Sequence, residues 1–150
     1  MRMRMDKRIF QNKVNEIFQK NPKIFALESD ARADYKMIKD VEEYYNITLP
    51  EFYKDFVNQY GGGYFGFIII YSCDCNGMFY IKDYVAREWV IKRFFLPIVD
   101  FETGDYLGVE IKEGICQSII SLYSHGENIL HELEMDFYDA LLKYGLHDDE

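Results

Sequence analysis

The residues best placed to do chemistry are the carboxylates Asp100, Glu102 and Asp105, which crowd around Thr103 and Gly104. Clustered carboxylates can share a proton or hold a divalent cation. The same residues are also what a polar turn between two strands uses, since Asp side chains hydrogen-bond to nearby backbone, and the flanking sequence favours the turn. The histidines add little. His125 and His131 are six apart, which misses the i, i+4 spacing that puts two ligands on one helix face, and His147 lies near the end. Cys73 and Cys75 form a Cys-x-Cys pair, a poor zinc signature, and Cys116 stands apart, so the odd count of 3 reads as reduced, partly buried thiols. No nucleophile elbow, P-loop or dinucleotide fingerprint is present; Gly61-Gly62-Gly63 lacks the following Gly-Lys-Ser/Thr and precedes a strand rather than a helix. The expectation is a protein with no catalytic residue, no metal site and no cofactor.

The elements that would position these groups are organised around Val41 to Gly63. Ile38, Val41 and Tyr45 share one helix face, and after the Leu49-Pro50 junction Tyr53, Phe56, Val57 and Tyr60 share another. Asn46 tolerates the left-handed conformation that ends the first helix, Pro50 suits the first turn of the second, and Gly61 supplies its stop. Ahead of this corner, Phe10, Val14, Ile17 and Phe18 predict a helix over about 6–20 that stops at Asn21-Pro22, and residues 21–33 form a connector with a short apolar contact through Ile24, Phe25 and Leu27. Beyond it the period changes. Tyr64 to Ser72 reads as a strand, Asp74 to Gly77 as a hairpin turn built on Asn76-Gly77, and Met78 to Ile81 as the returning strand. Asp83 is placed to cap a helix whose Val85, Trp89 and Arg93 share a face. Phe94 to Phe101 is extended, with Pro97 at an edge or strand entry. Strands over 106–111 and 115–123 follow, and the strands end at Ser124-His125-Gly126. Leu133, Phe137, Leu141 and Tyr144 recur at helical spacing before Gly145 and an acidic tail. Helices first, a meander next and a closing helix predict an α+β fold: a single layer of mostly antiparallel sheet, about five to six strands, with helices packed on one face or end.

At 150 residues, 49% apolar and 17% aromatic, the chain has the material for one domain with a real core. Net charge is −9, unevenly placed: residues 1–20 hold six Lys or Arg against Asp6 and Glu16, leaving 11 basic and 24 acidic residues, or −13, in the remainder. A field of that sign repels phosphate backbones, which argues against nucleic acid and toward a basic protein partner. No apolar run has the length of a membrane span and the start lacks the apolar region of a signal peptide; together with reduced thiols this predicts a cytoplasmic protein that does not bind membranes.

The acidic helix with Glu42, the corner Ile47-x-Leu49-Pro50, the aromatic helix with Tyr53, Phe56 and Tyr60, and the stop at Gly61-Gly62 resemble the SUKH superfamily, which contains the yeast cell-wall assembly regulator and many bacterial immunity proteins. The resemblance resumes at Leu96-Pro97-Ile98, Gly104-Asp105-Tyr106 and Phe137 to Leu142, and so runs over roughly residues 30–145. It implies a single SUKH-like domain over 1–150, with residues 1–20 as a leading basic helix or partly frayed arm. It also implies a non-enzymatic, protein-binding role: an immunity protein that neutralises a cognate bacterial toxin, of nuclease type, by occluding it. The alternatives are an intracellular regulatory or scaffold domain binding a cellular protein, and a small hydrolase using the carboxylates at 100–105. Asp74, Asp83, Glu102 and Asp105 are the expected partner contacts, all four taken as exposed.

Overall fold

The computed structural model describes residues 7–20 and 29–147. The expected stop at Asn21-Pro22, the contact through Ile24, Phe25 and Leu27, and the acidic tail at 148–150 lie outside the described residues. Six strands form one antiparallel sheet in sequence order: β1 (Gly63–Phe65), β2 (Ile68–Ile70), β3 (Phe95–Asp100), β4 (Tyr106–Lys112), β5 (Ile115–Ser124) and β6 (Ile129–Glu132). Helices α1 (Lys7–Lys20), α2 (Tyr35–Tyr45) and α3 (Glu51–Tyr60) precede the sheet, short helices α4 (Ile81–Tyr84) and α5 (Arg87–Arg93) interrupt it between β2 and β3, and α6 (Phe137–Ala140) closes the chain with a wider π turn over Leu141–Gly145. This is the α+β architecture expected. No described helix is long and apolar enough to cross a membrane.

Strand alternation gives the sheet two unlike faces. Leu96, Val99, Leu107, Val109, Ile111 and Ile120 point to one face and join a single apolar cluster with Val41, Tyr53, Phe56 and Val57 of α2 and α3 and Phe137 and Leu141 of the closing segment. Phe10 of α1 completes it, packing on Phe65 and Tyr138 with ring centroids 5.8 and 4.7 Å apart. The opposite face carries a row of cross-strand neighbours running through all six strands: Tyr64, Ile69, Asp100, Tyr106, Tyr123 and Leu130.

The corner between α2 and α3 forms as its residue types require. Asn46 ends α2 in the left-handed region at φ 56°, and Pro50 is the residue that enters α3. The Glu42 carboxylate accepts from the Leu49 backbone N–H at 2.8 Å and lies 3.7 Å from the Lys54 ammonium, so an acidic residue on α2 fixes the chain between the helices. Thr48 then joins the β4–β5 turn, donating to the Gly114 carbonyl and accepting from the Cys116 N–H.

Several local expectations are corrected. Tyr64 to Ser72 is two strands, because Gly66 turns the chain at φ 62° with its backbone against the Gly145 carbonyl, where a Cβ would not fit. Asp74 to Gly77 does turn, but neither Asn76 nor Gly77 takes the positive φ that a tight hairpin needs. The returning segment accordingly forms no strand: Tyr80 makes one parallel bridge with Ser72 and the chain enters α4. Asp83 lies inside α4 rather than capping a helix; α5 starts at Ala86 without a side-chain cap, and Val85 falls between the two. Pro97 is on an inner strand, where it is accommodated by an irregularity in the β3–β4 register between Pro97 and Val99. The strands do not end at Gly126, since β6 follows; the closing helix starts at Asp136, whose side chain accepts from the Asp139 N–H, and Leu133 precedes it. Phe18 is 47% exposed and off the buried face of α1.

Gly61 has φ 87° and ψ −70°, a conformation open to glycine, and a Cβ there would overlap the carbonyls of Asp30 and Ala31. Gly61→Val is therefore expected to cost about 2 kcal/mol or more in urea unfolding. An unchanged midpoint would show that this helix end relaxes without strain.

A candidate binding face on the open side of the sheet

The chain between β2 and β3 leaves the sheet, and its polar backbone must find partners elsewhere. Tyr53, fully buried on α3, donates its hydroxyl to the Tyr71 carbonyl at 2.6 Å, and Tyr45 on α2 donates to the Val85 carbonyl at 2.8 Å. Asp30 holds the turn between them. Its carboxylate accepts from the Ser72 hydroxyl at 2.5 Å and from the backbone N–H groups of Met78 and Phe79 at 2.9 and 2.8 Å. Gly77 passes so close to that carboxylate that a Cβ would not fit. Fixed in this way, Tyr84 stacks on Tyr71 and Phe79, with centroids 5.2 and 6.2 Å away.

From this anchored excursion α5 lays Trp89 over the aromatic row. Its ring lies 6.3 Å from Tyr106, 5.2 Å from Tyr123 and 6.2 Å from Phe95, while the Arg93 guanidinium sits 4.2 Å from its centroid. Beneath, Gly108 has no room for a Cβ, which would overlap the Leu96 carbonyl and stand 2.7 Å from the Phe95 ring. A cleft of about 130 Å³ results, lined by Tyr84, Val85, Ala86, Trp89, Pro97 and Tyr106. A larger, more open depression lies toward β6, lined by Lys92, Arg93, Tyr123, Asn128, Ile129 and Leu130.

Asp100 is the charged member of the row and stands beside Tyr106. It accepts from the Tyr71 hydroxyl at 2.7 Å and from the Glu102 N–H at 2.7 Å. Burial first, then the Asp100 charge, raises the pKa of the Tyr106 hydroxyl; burial first, then the hydrogen bond to Asp100, does the same for Tyr71. Both hydroxyls stay protonated at neutral pH and can donate.

The expected contact residues fall into two classes. Asp83 and Glu102 are exposed, and both adjoin this face: Asp83 precedes Tyr84, and Glu102 follows β3, with the Tyr64 hydroxyl 3.5 Å away. Asp74 and Asp105 are only partly exposed, contrary to expectation, because each holds backbone. Asp74 accepts from Ala31 and Asn76 N–H groups at 2.9 and 3.0 Å, and Asp105 accepts from the His125 N–H at 3.0 Å. Asp100 thus holds its own turn and Asp105 ties that turn to the end of β5, while Glu102 is left exposed, and no group of three or more His, Cys, Asp or Glu among the described residues is arranged around a metal position. By residue type Trp89, the single tryptophan, and the tyrosines suit a contact surface, but type alone does not say which of them lie on one. Asp30 had no distinguishing signal, since its partners lie more than forty positions away.

A family model matches residues 35–141: SUKH_6, described as SMI1-KNR4 cell-wall. No curated protein matches the chain.

Cys73 and Cys116 are buried, and burial pushes both thiols up to about 12, whereas Cys75 is exposed. A thiol reagent at neutral pH is expected to label Cys75 quickly and the other two only on unfolding. The raised values also set a sign. The folded state keeps protons that the unfolded chain releases above about pH 9, so stability has no dependence on these thiols below about pH 8 and falls as pH rises from 9 toward 12. Cys116→Ala should flatten the decline in melting temperature between about pH 8.5 and 10, before most tyrosines titrate. An identical slope in the variant would show that Cys116 ionises in the fold as easily as in the open chain.

Proposed function

The chain belongs to the SMI1-KNR4 family, and from that premise we propose that it is a non-enzymatic protein-binding domain, an immunity protein that neutralises a toxin by covering its active surface. The observation that carries this reading is the open sheet face, where Asp100 stands beside Tyr106 of an aromatic cleft and Glu102 is exposed two residues on, in a body of net charge −13 outside the first twenty residues. Aromatic surface excludes water and supplies binding energy, while the carboxylates steer a basic partner to it. A toxin that acts on nucleic acid presents basic surface to phosphates, and a protein of opposite sign competes for that surface. Occlusion requires no turnover, which agrees with Asp100 and Asp105 being engaged in holding backbone amides. A second reading, a regulatory or scaffold domain that binds a cellular protein, is favoured by the family's description, which refers to the cell wall.

The experiment is co-expression with a toxin domain encoded beside this gene, scored by survival. Protection supports immunity; binding to a cell-wall protein with no protection supports the second reading.

Charge reversal then separates contact from structure. Asp83→Lys with Glu102→Lys should slow association with the toxin at low ionic strength, the difference shrinking as salt shortens the Debye length to about 8 Å or less, with stability changed by no more than about 0.5 kcal/mol. Asp74→Lys or Asp105→Lys should in addition lower the melting temperature, because backbone donors lose their acceptor. Stopped-flow rates insensitive to both salt and the exposed pair would place the contact elsewhere.

A further inference from the structure

We propose that the cleft between Tyr84, Trp89 and Tyr106 is a receptor for one arginine side chain presented by the protein partner; this rests on the protein-binding reading above and adds the chemistry of the group recognised. The cleft has the size of a single side chain, its lining residues are apolar or aromatic, and none of them is basic. An aromatic slot of that kind accepts either another apolar group or a cation held over the rings. The surroundings choose the cation. Asp100 is the register partner of Tyr106, and Glu102 follows it by two residues at the exposed end of β3. Each Asp100 oxygen accepts one hydrogen bond within the protein, which leaves lone pairs free for an incoming donor.

The chain itself supplies an example of the contact. Trp89 already carries the Arg93 guanidinium at 4.2 Å, and Arg93 belongs to the depression toward β6 and not to the cleft lining. The indole is thus a ring that guanidinium stacks on, and it also lines the cleft. Arginine fits better than lysine because its planar, weakly hydrated head stacks on aromatic faces and still forks to a carboxylate, whereas an ammonium must shed a tight hydration shell. A nucleic-acid base could stack there, but its phosphates would meet Asp100 and Glu102.

The chain has a single tryptophan, so fluorescence of Trp89 reports the cleft directly. The full protein is titrated with acetyl-Gly-Arg-Gly-amide, with the citrulline peptide as an uncharged isostere and the lysine peptide as a second cation. The arginine peptide is expected to give a saturable change with Kd of roughly 1–10 mM, as a lone side chain should, and the citrulline peptide to bind at least about tenfold more weakly. Tyr84→Ala should weaken binding by about 3- to 30-fold, the loss of one ring contact. Glu102→Gln, at an exposed position, does the same from the charge side and keeps the test independent of any folding defect in the first variant. No saturation, equal binding of arginine and citrulline, or indifference to both variants overturns the proposal. Its failure is distinct from failure of the immunity reading. Toxin neutralised equally well by the Tyr84→Ala protein leaves immunity standing without the arginine site, and selective arginine binding by a protein that gives no protection leaves the site standing without immunity.

Discussion

The molecule depends on how it satisfies backbone carbonyls where the sheet's own hydrogen bonding runs out. β2 is short: the Tyr71 N–H still reaches the Ile98 carbonyl of β3, but past it the chain leaves the sheet, buried as far as Cys73 and again at Ile81 and Val85. A carbonyl buried there without a donor costs about 1–3 kcal/mol, a large share of the stability of a domain of this size. Two tyrosines on the helices supply the donors, Tyr53 to the Tyr71 carbonyl and Tyr45 to the Val85 carbonyl. Burial raises both hydroxyl pKa values, so the protons needed for donation stay in place. The helix layer thereby fixes the path of a segment whose far end reaches the opposite side of the sheet, and α5 with Trp89 stands where it does because of contacts made in the main core.

That arrangement gives the two faces different work. One is apolar and dry, filled by β-strand aliphatics and the aromatic residues of α1, α3 and the closing helix. The other is roofed only in part, by Trp89 and Tyr84, and places a carboxylate in the middle of an aromatic row. Asp100 is affordable there because the Tyr71 hydroxyl and the Glu102 amide solvate it, and because the face opens to water on its Glu102 side. The same side chain that shapes the β3–β4 turn also sets the sign of the cleft's edge.

What was legible in the sequence was local. The helix corner from Val41 to Gly61 follows from apolar spacing, Asn46, Pro50 and glycine, and the β4–β5 hairpin follows from alternation on either side of Lys112-Glu113-Gly114. What misled was also local. Asn76-Gly77 is a strong hairpin signal, yet Asp30, far away in the chain, takes the amides of Met78 and Phe79. Gly66 turns the chain because the Gly145 carbonyl lies against it, a constraint no window of ten residues contains. β6 was missed because an exposed edge strand carrying His131 and Glu132 needs little β-branched or apolar character. The carboxylates at 102 and 105 were rightly placed in a turn, but only the fold shows that Asp105 holds a backbone amide while Glu102 stays exposed to water.

The packing of α1 on α6 has a consequence for the order in which the protein can be completed. Phe10 rests on Tyr138, Phe52 on Phe137 with centroids 4.7 Å apart, and the Gly145 carbonyl receives the Phe67 N–H. Helix α1 and the first hairpin are thus completed by residues more than seventy positions further along the chain. During synthesis the strands can pair as they emerge, but the aromatic layer beneath the helices stays open until residues 137–146 have left the ribosome, and until then its rings face solvent. Closure of this domain therefore waits on residues 137–146, whichever elements form before them.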